Sequence, residues 1–90
     1  MRKDKYKWQV GDILYEASMS YKKVFSHEIT DIWIEDYISG PKTIARLITL
    51  DAKTGDTLWM TTKFLSDIVH YHNTREEAEA ALAEMLARKD

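Results

Sequence analysis

The sequence predicts an α+β domain: a strongly bent antiparallel β-sheet of four to five strands, half closed into a barrel, with one C-terminal α-helix. Three stretches carry that expectation. "VFSHEITDIWIEDYI", residues 24–38, is so rich in β-branched and aromatic side chains that only extended chain suits it. "DAKTGD", 51–56, lies between two apolar runs and has the residue types of a hairpin loop. "NTREEAEAALAEML", 73–86, has the apolar spacing of an amphipathic helix. Ninety residues make one domain with a small core. Small antiparallel sheets curl because closure removes exposed edges.

Taken in order, residues 1–10 read as a polar arm ending in Trp8 and Val10, and Gly11-Asp12 as a turn. "ILYEASM" is a first strand, with Ile13, Tyr15 and Ala17 on one face and Leu14, Glu16 and Ser18 on the other. "SYKK", 20–23, connects it to the long strand. There, Phe25, His27, Ile29, Asp31 and Trp33 share one parity, and Val24, Ser26, Glu28, Thr30, Ile32 and Ile34 the other. The apolar face changes sides near 29–32, the mark of a bulge or bend. "SGP", 39–41, is the strongest break and holds the one proline.

"KTIARLITL" is a third strand, apolar on both faces. In the following loop Asp51 and Thr54 can bond the backbone, and Gly55 supplies a positive φ. "TLWMTTKF" returns with Leu50 set near Leu58. "LSDIVHYH" contains either a short helical turn or a last short strand. The helix, 74–89, starts with a capping box in which Thr74 is the N-cap and Glu77 sits three residues on. Ala78, Ala81, Leu82, Met85 and Leu86 form one stripe, which must cover the sheet or a partner. The mainly β region therefore spans 11–72 of a single domain, 1–90.

"VGDILYEAS", the hairpin and "NTREEAEAAL" together resemble a group of small bacterial and phage proteins with SH3-like or Tudor-like barrels. The matching positions are Gly11, Asp12, Ile13 and Tyr15 in a "GD-x-hydrophobic-Tyr" strand, and Thr74, Glu76, Glu77 and Ala78 in a "T-x-EEA" helix. The resemblance implies an SH3-like partial barrel. It also implies a protein that binds other proteins or nucleic acids, such as an inhibitor or accessory protein of a phage or other mobile element.

Composition narrows the chemistry. Without cysteine there is no disulfide, thiolate zinc site or cysteine nucleophile, which suits a cytoplasmic setting. The basic start lacks the apolar run of a signal peptide, and no apolar stretch approaches membrane-helix length. A net charge of −2 gives no general attraction to nucleic acid. Three glycines, at 11, 40 and 55, cannot build a P-loop or a dinucleotide fingerprint, and no G-x-S-x-G is present. Asp31 and Glu35 stand roughly 13 Å apart on an extended strand, too far for paired-carboxylate glycoside chemistry. No cofactor and no catalytic set is expected.

Three candidate surfaces follow. The leading one is aromatic: Trp33, Trp59, Tyr37 and Tyr21, with Tyr15 in reserve. If Ile32 and Ile34 point inward, Trp33 points outward, and Trp59 has the parity opposite to Leu58 and Met60. Two outward indoles on neighbouring strands would form a hot spot for another protein or a second copy of the chain; the alternative is that the helix covers one of them. The second surface is the N-terminal arm, where Arg2, Lys3, Lys5 and Lys7 interleave with Tyr6 and Trp8. That pattern can hold phosphates and stack bases, extended by Lys22, Lys23 and Lys42 if the fold gathers them. The third is His70 and His72 with His27, three imidazoles that could hold zinc. The leading expectation is a non-enzymatic interaction module.

Overall fold

The computed structural model describes residues 8–68 and 70–88. Four strands, β1 (Ile13–Ser18), β2 (Lys23–Tyr37), β3 (Gly40–Asp51) and β4 (Thr57–Phe64), form one antiparallel sheet in the order β1-β2-β3-β4. The order is that of an open sheet. A 3-10 turn, Leu65–Asp67, follows β4, and the helix α1 spans Arg75–Arg88. Of the two outcomes for "LSDIVHYH", the helical turn forms at its start, while His72 makes a single antiparallel bridge to Tyr15 at the outer edge of β1.

The change of apolar face in β2 is a bulge. Ile29 pairs with Leu47 and Asp31 with Arg46, so Thr30 is the extra residue. Before it, Phe25, His27 and Ile29 face inward. After it the opposite parity does, and Ile32 joins the core. β3 runs regularly through this region: Ala45, Leu47, Thr49 and Asp51 are buried on the inner face, and Arg46 is exposed on the outer.

The inner face is closed by groups that the sequence pattern did not mark. Leu14, Ile29, Ala45 and Leu47 pack with Trp8, Leu65 and Ile68, and the Trp8 indole N–H donates to the Ile68 carbonyl at 3.1 Å. The polar arm therefore ends in a core residue. No helix residue belongs to this cluster among the described residues. The helix instead packs against β1 and β2 and fully buries only Ala78 of its stripe. Its N-terminus is capped nearly as expected. Thr74 Oγ1 accepts from the Glu77 N–H at 3.1 Å, but the Glu77 carboxylate reaches the N–H of Asn73, also at 3.1 Å.

The expected break at 39–41 is narrower than the sequence suggests. A two-residue turn, Ile38-Ser39, joins β2 to β3, and Pro41 lies inside β3, opposite Asp36. Proline is tolerated there because β4 reaches only as far as Ile44, so that end of β3 has no second neighbour needing a donor. β2 and β3 thus continue as a two-stranded ribbon past Trp33↔Ile44. The β3–β4 register also differs by one residue: Thr49 pairs with Trp59 and Leu50 with Thr57, leaving Leu58 in an irregularity.

The β3–β4 loop is held as its sequence predicts. Asp51 accepts from the N–H groups of Lys53 at 2.8 Å and Thr54 at 3.2 Å, and Lys23 Nζ lies 2.7 Å from its other oxygen. Gly55 has φ +83°. The Lys23 contact, then the two backbone donors, hold the Asp51 carboxyl down to about 2. A carboxyl depressed in the folded state adds stability above its unfolded pKa and loses it as the folded pKa is approached. The native chain is therefore expected to lose stability as pH falls from about 4 to about 2. Asp51→Asn is expected to be less stable at neutral pH and to lack that part of the acid slope, read by denaturant unfolding at stepped pH.

Candidate functional site

Trp33 lies on the outer face of the sheet, half-buried. Its N–H donates to Glu35 at 2.9 Å, and the Tyr37 hydroxyl donates to the other Glu35 oxygen at 3.2 Å. Partial desolvation first, then the Glu35 charge, push the Tyr37 hydroxyl above its ordinary pKa. The Arg46 guanidinium stands 5.4 Å from the Trp33 ring centroid and is held by Asp31 at 3.0 Å. Phe64 meets Tyr37 edge to face at 5.6 Å. Asp31 and Glu35 thus act as orienting acceptors, each with its own partner, and not as an acid–base pair. The cross-strand order explains the grouping: Trp33, Ile44 and Phe64 share one row, Asp31, Arg46 and Thr62 the next but one on the same face.

Trp59 belongs elsewhere. It pairs with Thr49 on the inner face and packs against Phe25 at 5.4 Å and Tyr21 at 6.3 Å. The expected patch of two adjacent indoles is not formed. Trp33 and Trp59 are on non-adjacent strands, with β3 between them, and on opposite faces because the Thr30 bulge reverses the parity of β2. Trp59 stays 43% exposed and Tyr21 62% at the far end of the sheet. Neither indole is covered by the helix core contact at Ala78. What the sequence reading missed is Arg46 and Phe64, which complete the Trp33 cluster. Their positions opposite Asp31 and Ile44 follow only from the bulged register.

The histidines do not converge. His27 is buried, with Nδ1 at 2.8 Å from Thr49 Oγ1 and Nε2 at 2.8 Å from Glu16, and Tyr71 stacks on its ring at 5.1 Å. His70 is exposed beside Tyr71, and the backbone of His72 bonds Tyr15. Among the described residues no group of three His, Cys, Asp or Glu side chains is placed to hold a metal ion. The expected zinc set is not assembled, because His27 spends both nitrogens on protein partners.

Thr49, His27 and Glu16 have the order of a hydroxyl, base and carboxylate relay. A carboxylate only accepts, so Nε2 donates to Glu16, and in the neutral ring Nδ1 accepts the Thr49 proton. Yet Thr49 is fully buried, so no substrate carbonyl can reach its hydroxyl. The set holds the core in place. The bond from His27 holds the Glu16 carboxyl below its usual range against the opposing effect of burial. Burial, then the charge of Glu16, push the Tyr71 hydroxyl up.

The basic arm is only partly described. Arg2, Lys3, Lys5, Tyr6 and Lys7 lie outside the described residues. Trp8 is 6% exposed, so it is not the base-stacking platform expected of it. Lys22 and Lys23 sit at the start of β2, while Lys42 pairs with Glu35 on the order of 40 Å away along the strand, so they do not extend one patch. No described helix is long and apolar enough to cross a membrane. Comparison with protein-family models, curated proteins and solved structures found no match.

His27→Ala is expected to cost about 2–4 kcal/mol, since it opens a cavity and strands the buried Thr49 hydroxyl. Thr49→Val, which removes one hydroxyl and keeps shape, is expected to cost less. Equal costs in denaturant titration would contradict this account. Acrylamide quenching of single-tryptophan variants is expected to rank Trp59 above Trp8.

Proposed function

We propose that the chain is a non-enzymatic protein-interaction module that docks another protein on the outer sheet surface around Trp33. One observation carries this reading. An indole, a tyrosine, a phenylalanine and an arginine are fixed together by Glu35 and Asp31 where the sheet narrows to a ribbon. Aromatic residues and arginine held in place before binding are the composition of interface hot spots, because little side-chain entropy remains to be lost. Exposed Ile38, in the turn at the tip of the same ribbon, adds apolar area beside it. The antiparallel sheet with a C-terminal helix is compatible with an SH3-like derivation, which rests on the resemblance of the "GDILY" and "TREEA" segments. The resemblance alone extends this reading to a cytoplasmic accessory or inhibitor protein of phage or mobile-element origin.

The test is capture from cells of the source with the wild-type chain and with Trp33→Ala and Arg46→Ala, followed by titration of the purified partner. Both variants are expected to keep the fold, and Trp33→Ala to raise Kd about tenfold or more, about 1.4 kcal/mol. Unfolding of Trp33→Ala would make the indole a core residue. A partner that binds all three chains equally would remove this surface from the function.

A further inference from the structure

We propose that the outer edge of β4 pairs antiparallel with the same edge of a second copy of the chain, centred on Thr61, so that two four-stranded sheets become one of eight strands. This does not rest on the Trp33 reading: that indole lies two strands further in, on β2, and only Phe64 of β4 belongs to both surfaces.

Among the described residues β4 is the last strand of the sheet, and all of its residues are exposed except half-buried Thr61. A terminal strand presents a row of backbone N–H and C=O groups to whatever extended chain can meet them. The opposite edge, on β1, is partly occupied: Tyr15 exchanges both backbone hydrogen bonds with His72, at 2.8 and 2.9 Å. β4 carries few of the devices that keep strand edges apart. It has no proline and one charge, Lys63, and its irregularity is confined to its first residues, near Leu58. The other side chains are Leu and Met with Thr, Trp and Phe, the last three good strand formers.

Symmetry limits the register. In a continuous antiparallel sheet the two-fold axis stands perpendicular to it and carries each face onto itself. Paired residues must then have the same parity. The alternation of inward and outward backbone groups sets the same condition. Centring on Thr61 pairs Thr61 with itself, Met60 with Thr62, Leu58 with Phe64, and Trp59 with Lys63. Every row is compatible, and the single charge of each strand meets the exposed indole of the other. A cation over an indole face is attractive, and two such contacts form by symmetry. The two lysines stay four residues apart, so like charges never face each other. Moving the centre to Met60 places Phe64 against Asp56 and loses both cation–indole pairs. The symmetric register and the two cation–indole pairs therefore favour a second copy of this chain over an arbitrary strand.

The test uses the whole chain in sedimentation velocity over a concentration series, with Trp59→Glu and Trp59→Lys. Both variants lose the same packing on Phe25 and Tyr21. They differ in the sign of the charge set against Lys63 of the partner subunit. The wild type is expected to show a concentration-dependent dimer, Trp59→Glu to keep it, and Trp59→Lys to dissociate at least tenfold more readily than Trp59→Glu. Because the chain has no cysteine, a second measurement is available even if both Trp59 variants unfold. Oxidised Thr61→Cys is expected to form a disulfide-linked dimer across the axis. Lys63→Cys is not, since its copies would stand about 13 Å apart, beyond disulfide reach. A wild type that stays monomeric throughout, equal dissociation of the two Trp59 variants, or equal crosslinking at 61 and 63 would each overturn the proposal.

Discussion

One extra residue in β2, Thr30, decides which side of the sheet every later side chain of that strand occupies. Side chains alternate with period two, so an unpaired residue exchanges the faces of all that follow. Without it, Trp33 would share the inner face with His27 and Ile29, and Ile32 would lie outside. With it, the inner face stays aliphatic under Trp8, Leu65 and Ile68, and Trp33 goes to the outer face beside Arg46. Thr30 also fastens the irregularity, its hydroxyl lying 3.3 Å from the Arg46 carbonyl.

The two faces of the sheet then carry different duties. The inner face holds the core and, at its edge, a polar set in which buried His27 and Thr49 meet half-buried Glu16 and Tyr71. Among the described residues no buried side-chain nitrogen or oxygen lacks a hydrogen-bond partner. Satisfied polar groups of this kind fix one arrangement of a small core, whereas half-satisfied ones would destabilise it. The relay-like order of Thr49, His27 and Glu16 shows why geometry alone does not make a catalytic centre: a nucleophile sealed from solvent has nothing to attack. The helix packs against β1 and β2, and among the described residues it makes no comparable packing on β3 or β4.

Covering is also what separates the two sheet edges. The chain that leaves β4 returns through the 3-10 turn to the outer side of β1, where His72 bridges Tyr15. The helix that follows adds to the same side. Nothing comparable lies along β4 among the described residues.

Much of the local structure was legible in the residues themselves. The β-branched run gave β2, the Asp-Thr-Gly set gave the β3–β4 loop, Thr74 and Glu77 gave the helix start, and the exchange of apolar parity located the bulge. These are short-range effects of backbone preference, capping and periodicity. The candidate site was legible only by residue type. Trp33 and Tyr37 could be named, but not their partners Arg46 and Phe64, nor the separation of Trp59 from them. The core roles of Trp8 and His27 were equally hidden, because a tryptophan behind a basic arm and a histidine in a polar stretch show no periodic signal. Which residues face each other depends on strand register, on where the chain returns after β4, and on which edge it covers. Those are properties of contacts distant in sequence, so only the tertiary structure decided them.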